Sequence, residues 1–143
     1  FGADIALNSK TTTEEERIEL VMQETNGRGA DLAVECVGSP SIVPEGLRML
    51  RKAGMYLEPG NFVDTGGVTL NIHEICAKNL RIIGMCNHAY NAYLPCMEMM
   101  ERSLDWFPWD KFVSHSYPLA QTEEAIKKSM AEDSMKVVVA ANM

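Results

Sequence analysis

Cys86 and His88, two positions apart in "GMCNHAY", form the pair in this sequence that comes nearest to a metal site. Catalytic zinc takes three protein ligands in a fixed geometry. Nothing near the pair supplies a third, so it is not expected to hold a metal. The four cysteines, Cys36, Cys76, Cys86 and Cys96, lie far apart in apolar contexts without a CxxC pair. That spacing argues against a zinc knuckle and for a reduced, cytoplasmic chain. His73 opens a helical turn as a surface or capping residue, and His115 alternates with Val113 and Tyr117 on one face of a strand. Asp31 and Glu35 border a strand without a partner for acid–base work, so structural roles are expected of both. No catalytic residue is expected among these groups.

The stronger signal is in the backbone. Cys36-Val37-Gly38, Glu58-Pro59-Gly60 and Ile83-Gly84-Met85 each close an apolar run at or beside a glycine. There the main chain can turn sharply or approach a ligand closely. One such ending is ordinary turn chemistry. Three in register favour a crevice floored by main chain, since open parallel sheets bind ligands outside the carboxyl ends of their strands.

The elements that would carry those ends alternate. Residues 4–8 (DIALN) read as a short strand, although so short an apolar run is ambiguous. Thr13 and Glu16 make a capping box ahead of Ile18, Val21, Met22 and Thr25 at helical spacing, and Gly27 stops that helix. Residues 32–37 read as a strand. Ser39 is expected to cap a helix with Pro40 at its first position, and Arg51-Lys52 to sit in its last turn before Gly54. Residues 55–58 form the next strand. Alternation of strand and helix with short links marks a parallel α/β sheet with flanking helices.

Further along, 61–67 is a loop, 68–72 a possible strand, 73–78 a helical turn and 79–85 a strand. Tyr90, Tyr93, Leu94, Met97, Met100 and Leu104 form a helical stripe, and Pro95 places the helix start near Asn91. Residues 106–110 (WFPWD) break the pattern as a binding surface or a plug between domains, expected to be partly exposed. A strand (112–119), a helix (122–131) and a strand (135–140) close the chain. No internal repeat or low-complexity tract is visible.

Composition narrows the function. Of the 143 residues 46% are hydrophobic, enough for one packed core, and no apolar run is long enough to cross a bilayer. A net charge of -7 without a basic cluster argues against a nucleic-acid partner. Ten methionines are compatible with adaptable core packing and imply no activity. The opening Phe1-Gly2-Ala3-Asp4 carries neither an initiator Met nor a targeting segment, and reads as cut from something longer.

Taken in order, "FGADIALN", "NGRGADLAVECVGSP", "LRMLRKAGMYLEPG", "HEICAKNLRIIGM" and "YPLAQTEEAIKKSMAEDSMKVVVA" resemble the downstream part of a zinc-dependent medium-chain alcohol dehydrogenase. The likeness covers nearly the whole chain, and "GRGADLAVECVG" is its most specific block. It implies hydride exchange between an alcohol or carbonyl substrate and NAD or NADP. The fold it implies is a partial Rossmann-type parallel sheet over 1–105, followed by a short β-α-β return segment of the catalytic domain over 106–143.

In the family the strand order is 3-2-1-4-5-6, so DIALN would be strand 3, left without strands 2 and 1. It would then have to pair beside the next strand or with another copy, since the gap is roughly 14 Å at ~4.8 Å per strand. The resemblance also places Cys36, Val37 and Gly38 along the adenosine side of the cofactor. It sets Pro59, Gly60, Asn61, Gly84, Met85 and Cys86 around the nicotinamide and its carboxamide, and Lys136 toward the pyrophosphate. It implies a homodimer joined through sheet edges. The phosphate-binding GxGxxG turn, the acidic ribose reader and the zinc ligands of the family have no counterpart in the 143 residues. Zinc would therefore be held by residues outside this sequence, and the segment alone is expected to be inactive. Two rivals stay open: a zinc-free quinone or enoyl reductase, and a non-catalytic nucleotide- or protein-binding module. A methyltransferase is disfavoured because no glycine-rich opening strand is present.

Overall fold

The structure, a computed structural model, describes residues 1–141 of the 143. The last two residues of the expected return segment lie outside the described residues. The chain divides into two compact units, one of Ile5–Ala89 and one of Phe1–Asp4 together with the chain from Tyr90 onward.

In the first unit α1 (Glu14–Glu24) starts at the expected capping box. The Thr13 hydroxyl accepts from the Glu16 N–H at 3.2 Å, and the Glu16 carboxylate accepts from the Thr13 N–H at 2.7 Å. Three glutamates in the first turn suit the positive end of the helix dipole. The chain then reverses through Gly27, at φ +77°, into β1 (Ala30–Val34). α2 (Val43–Met49), β2 (Leu50–Glu58), α3 (Ile72–Lys78) and β3 (Arg81–Gly84) follow. The three strands form one parallel sheet in the order β1-β2-β3, with Ala33 opposite Tyr56 and Tyr56 opposite Ile82. This is the expected α/β architecture, and in the family's order these strands are 4, 5 and 6.

The core lies between the sheet and α2–α3. Leu47, Leu50 and Tyr56 are 3%, 1% and 2% exposed, and Ala33, Val43, Leu70, Ile75 and Leu80 pack around them. Each fully buried side chain of this size contributes about 1.5–3 kcal/mol. Gly46 makes the packing of α2 on the sheet possible, since a Cβ there would lie 2.5 Å from Tyr56 Cε2.

Four local expectations are corrected. Residues 4–8 form no ladder with any of the described residues. Ile5 and Leu7 instead lie beside Leu20 and Val21 of α1, and Asn8 begins a turn by accepting from the Thr11 N–H at 3.0 Å. A five-residue run with no adjacent strand has no backbone partner to hold it extended. Residues 68–72 are also not a strand, because Leu70 joins the core and Asn71 caps α3, its Oδ1 accepting from the His73 N–H.

Ser39 makes no side-chain cap; its hydroxyl pairs with Ser41, and a 3-10 turn at Pro40–Ile42 leads into α2. Arg51 and Lys52 fall in β2 rather than in the last turn of α2. The Lys78 ammonium takes over there, donating to the carbonyls of Leu47 at 3.1 Å and Arg48 at 2.9 Å. β2 accommodates the extra residues as an irregularity, with Ala53 at φ +57° and the register stepping from Ala30–Leu50 to Leu32–Met55.

The second unit holds α4 (Tyr93–Arg102), β4 (His115–Pro118), α5 (Thr122–Ser129) and β5 (Val137–Ala140). Pro95 sits in the first turn of α4, where a missing N–H costs nothing. β4 and β5 pair in parallel across α5, giving the expected β-α-β segment. The Ser114 hydroxyl accepts from the Met135 and Lys136 N–H groups at 2.9 and 3.2 Å, fastening the start of that pairing. Trp106 is 74% exposed, whereas Phe107 and Trp109 stack with Phe1 and Phe112. The Trp109 indole N–H donates to the buried Ser103 hydroxyl at 3.0 Å.

Candidate functional site

The carboxyl ends of β1, β2 and β3 lie side by side. The ladder runs just past them: the Glu35 N–H donates to Leu57 O at 2.9 Å, and the Met85 N–H to Glu58 O at 3.0 Å. Beyond this line the chain bends away at Gly38 and Gly60, while Gly84 is still paired as the last residue of β3, and the three glycines serve different ends. A Cβ on Gly38, whose φ is +78°, would lie 2.8 Å from Gly60 O. One on Gly60 would lie 1.8 Å from Glu35 Oε2 and 2.8 Å from Gly38 N. A Cβ on Gly84 meets nothing within 4 Å. The first two positions are closed by the protein itself; the third opens onto free space.

Glu35, 3% exposed, is the group beneath the first two turns. Its Oε1 accepts from the N–H groups of Val37 and Gly38 at 2.6 and 2.7 Å. Its Oε2 accepts from Asn61 Nδ2 at 3.3 Å. A buried carboxylate is tolerable only when donors answer it, and here the backbone does so.

Glu58 Oε1 takes the Asn61 N–H and Nδ2 at 3.0 and 3.1 Å. Burial pushes the Glu58 carboxyl up, but the Asn61 N–H, the Asn61 amide, the Glu35 carboxyl and the Gly60 N–H together hold it below the usual range. Glu58 Oε2 and Asn61 Oδ1 are sealed from solvent without a donor of their own. Tyr56 lies next to the two carboxylates; burial first, and then the charges of Glu58 and Glu35, push its hydroxyl up to about 12.

The expected site residues thus fall into three groups. Cys36, Val37, Gly38, Pro59, Gly60 and Asn61 meet at the Glu35 junction. Gly84 ends β3 and Met85 and Cys86 follow it, with Met85 joining Pro59, Phe62, Asn87 and His88 around a cleft of about 310 Å³. Lys136 belongs to the other unit, exposed just ahead of β5. Sequence reasoning missed the part played by Glu35 and Glu58. No side-chain pattern marked them, because most of the donors are backbone N–H groups and the following glycine stands three positions on from Glu35 but two from Glu58.

The remaining candidates are structural. Asp31 is held low by its hydrogen bond from Arg51, with Arg28 adding to it. His73 is exposed at the start of α3, and His115 pairs with the Ser114 hydroxyl. Among the described residues no three His, Cys, Asp or Glu side chains are grouped to hold a metal ion, so a zinc does not fit this chain's own residues. At the far end of the rim a Cβ on Gly84 meets nothing within 4 Å, and Pro59, Phe62 and Met85 wall the neighbouring cleft.

A parallel sheet with crossover helices on its faces defines a Rossmann-like α/β protein. Residues 1–102 match the family model of zinc-binding dehydrogenases, and the chain belongs to that family. It is 30% identical over 138 residues to an erythritol/L-threitol dehydrogenase of Mycolicibacterium smegmatis, covering 95% of this chain and 36% of that protein. It is 26% identical over 139 residues to a sorbitol dehydrogenase of Halalkalibacterium halodurans, covering 96% of this chain and 38% of the relative. An alcohol dehydrogenase structure from Thermotoga maritima superposes with a TM-score of 0.87 at 28% identity, over 96% of this chain and 38% of that one. The chain therefore spans little more than a third of the length of these relatives.

Proposed function

We propose that this chain supplies the later half of an NAD or NADP cradle in an enzyme that moves hydride between an alcohol, polyols included, and the nicotinamide. The observation that carries the reading is the rim at the carboxyl ends of β1–β3, with Glu35 tying its first two turns together and open space beside the third. The family match and the polyol dehydrogenases among its relatives support the reaction class.

In this reading Cys36, Val37 and Gly38 border the adenosine side, and Pro59, Gly60, Asn61, Gly84, Met85 and Cys86 border the nicotinamide and its carboxamide. Lys136 adds charge toward the pyrophosphate as a point cation. When bound, the nicotinamide supplies the redox chemistry. The residues of this chain orient the ring and shield one side of it. Residues 1–105 complete the nucleotide domain and 106–143 return to the catalytic domain; the end of the family match at residue 102 supports that boundary, whereas the compact units divide earlier, between Ala89 and Tyr90. Any zinc is held by residues outside the chain.

The unpaired edge of β3, with Ile82 and Ile83 more than 40% exposed, supports a homodimer formed through sheet edges. A monomeric mass by light scattering at high concentration would count against that. Four free, exposed cysteines support a reducing compartment such as the cytoplasm. No helix among the described residues is long and apolar enough to cross a membrane.

The test is turnover. The 143-residue chain mixed with NAD or NADP, zinc and a panel of alcohols and polyols should give no reduced-cofactor absorbance. The full-length protein should give it. Turnover by the chain alone, or a full-length protein that binds no dinucleotide, would overturn the reading.

A further inference from the structure

We propose that Glu35 is the positioning residue of the dinucleotide rim, cross-tying the turn after β1 to the turn after β2; the role rests on the cradle reading above. The chain after β1 is fastened through Val37 N–H and Gly38 N–H on one carboxylate oxygen. The chain after β2 reaches the other oxygen through the Asn61 side chain. Asn61 is anchored a second time, by its own N–H and Nδ2 on Glu58. One carboxylate with 3% exposure therefore sets the spacing of two backbone segments that the cradle reading places on opposite halves of the cofactor.

The two glycines testify to the same arrangement. Gly60 has no room for a Cβ because Glu35 Oε2 occupies that volume, and Gly38 takes a left-handed φ to bring its N–H onto Oε1. The end of β3 is the internal contrast. Gly84 faces open space and every residue from Arg81 to Tyr90 is exposed, so no buried carboxylate lies within that stretch. An ordinary strand-end turn requires no buried charge. Retaining one costs desolvation, and its donors return that cost only in this geometry. Small displacements of a positioned group weaken binding and rate by large factors, which gives such a tie a functional consequence.

The test uses the full-length protein. Glu35→Ala should raise the Kd and KM for the reduced cofactor on the order of tenfold, with kcat changed less than about threefold. Hydrogen exchange at the Val37 and Gly38 amides should accelerate together. Glu35→Gln keeps a carbonyl for the Val37 and Gly38 N–H groups but turns an amide NH2 toward Asn61 Nδ2, so amide exchange at Val37 and Gly38 should stay within about threefold of wild type while the cofactor Kd rises to a value between those of wild type and Glu35→Ala. Gly60→Ala, which displaces the carboxylate without removing it, should reproduce the KM increase if Glu35→Ala fails to fold. Cofactor Kd and amide protection at wild-type level in both Glu35→Ala and Gly60→Ala would overturn the proposal, even if both variants melt earlier. If the wild-type protein binds neither NADH nor NADPH, the cradle reading falls separately. Amide exchange at Val37 and Gly38 then decides alone whether Glu35 positions these turns.

Discussion

The two units of the chain invest their apolar residues differently. In Ile5–Ala89 the helices pack on a three-stranded sheet, and Leu47, Leu50 and Tyr56 are nearly inaccessible. In the other unit the residues buried to a similar degree are Ala125 and Ser103, and α4 has none. Tyr90 is 90% exposed, and Leu94 and Met97 about 65%. Helical periodicity predicts a helix in both places, but periodicity alone does not say whether a stripe meets a partner. In the first unit the sheet is the partner. In the second, β4 and β5 contact α5, and the stripe of α4 is left open.

The largest expected effect lies on the packed side of this comparison. Leu50→Ala removes the most buried large side chain, from between α2 and the sheet, and should cost about 2–5 kcal/mol in urea unfolding followed by circular dichroism. That loss is a large share of the stability of a domain this size. A cost under about 1 kcal/mol would mean that the core around Leu50 is not close-packed, and the contrast between the units would collapse.

A smaller effect belongs to the rim. Gly60→Ala forces a Cβ against Glu35 Oε2 and should cost about 1–3 kcal/mol, the range for overpacking a closed site. In the Glu35→Ala background the nearer obstacle is gone and only Gly38 N, 2.8 Å away, remains, so adding Gly60→Ala should cost less than it does in wild type. A double-mutant cycle reads that coupling directly, and purely additive costs would show that the two residues do not meet. Acid provides an independent check on the same cluster. Glu58 is held below its ordinary value of 4.5, so its contribution is present above about that pH and is lost as pH falls through the folded value. Asn61→Ala should flatten that part of the stability profile.

Much of this was legible in the residues, for identifiable reasons. The capping box at Thr13–Glu16 and the proline in the first turn of α4 are local rules that need no tertiary partner, and both hold. The parallel order β1-β2-β3 follows from alternating strands and crossovers. What failed depended on neighbours. DIALN has strand composition, but no adjacent strand supplies its hydrogen bonds. VTLNI lost Leu70 to the core and Asn71 to a helix cap. Arg51-Lys52 looked like a helix end until Lys78, almost thirty residues on, took the carbonyls of Leu47 and Arg48. At the rim, glycine positions identified the turns, but the buried carboxylate beneath them was invisible because its donors are backbone N–H groups of no particular sequence.

The smallest expected effect lies on the open side, where it has most power to break the comparison. Met97 is 66% exposed in the middle of the α4 stripe. Met97→Ser should change the stability of the chain by no more than about 0.5 kcal/mol, as for most surface substitutions. Helix propensity works slightly against serine, so a loss of a few tenths is compatible with exposure. A loss of 2 kcal/mol or more could not come from propensity. It would require that Met97 be covered in solution, and its dependence on protein concentration would show by what: a loss that grows on dilution places the cover in a second copy, and one independent of concentration places it within the same chain.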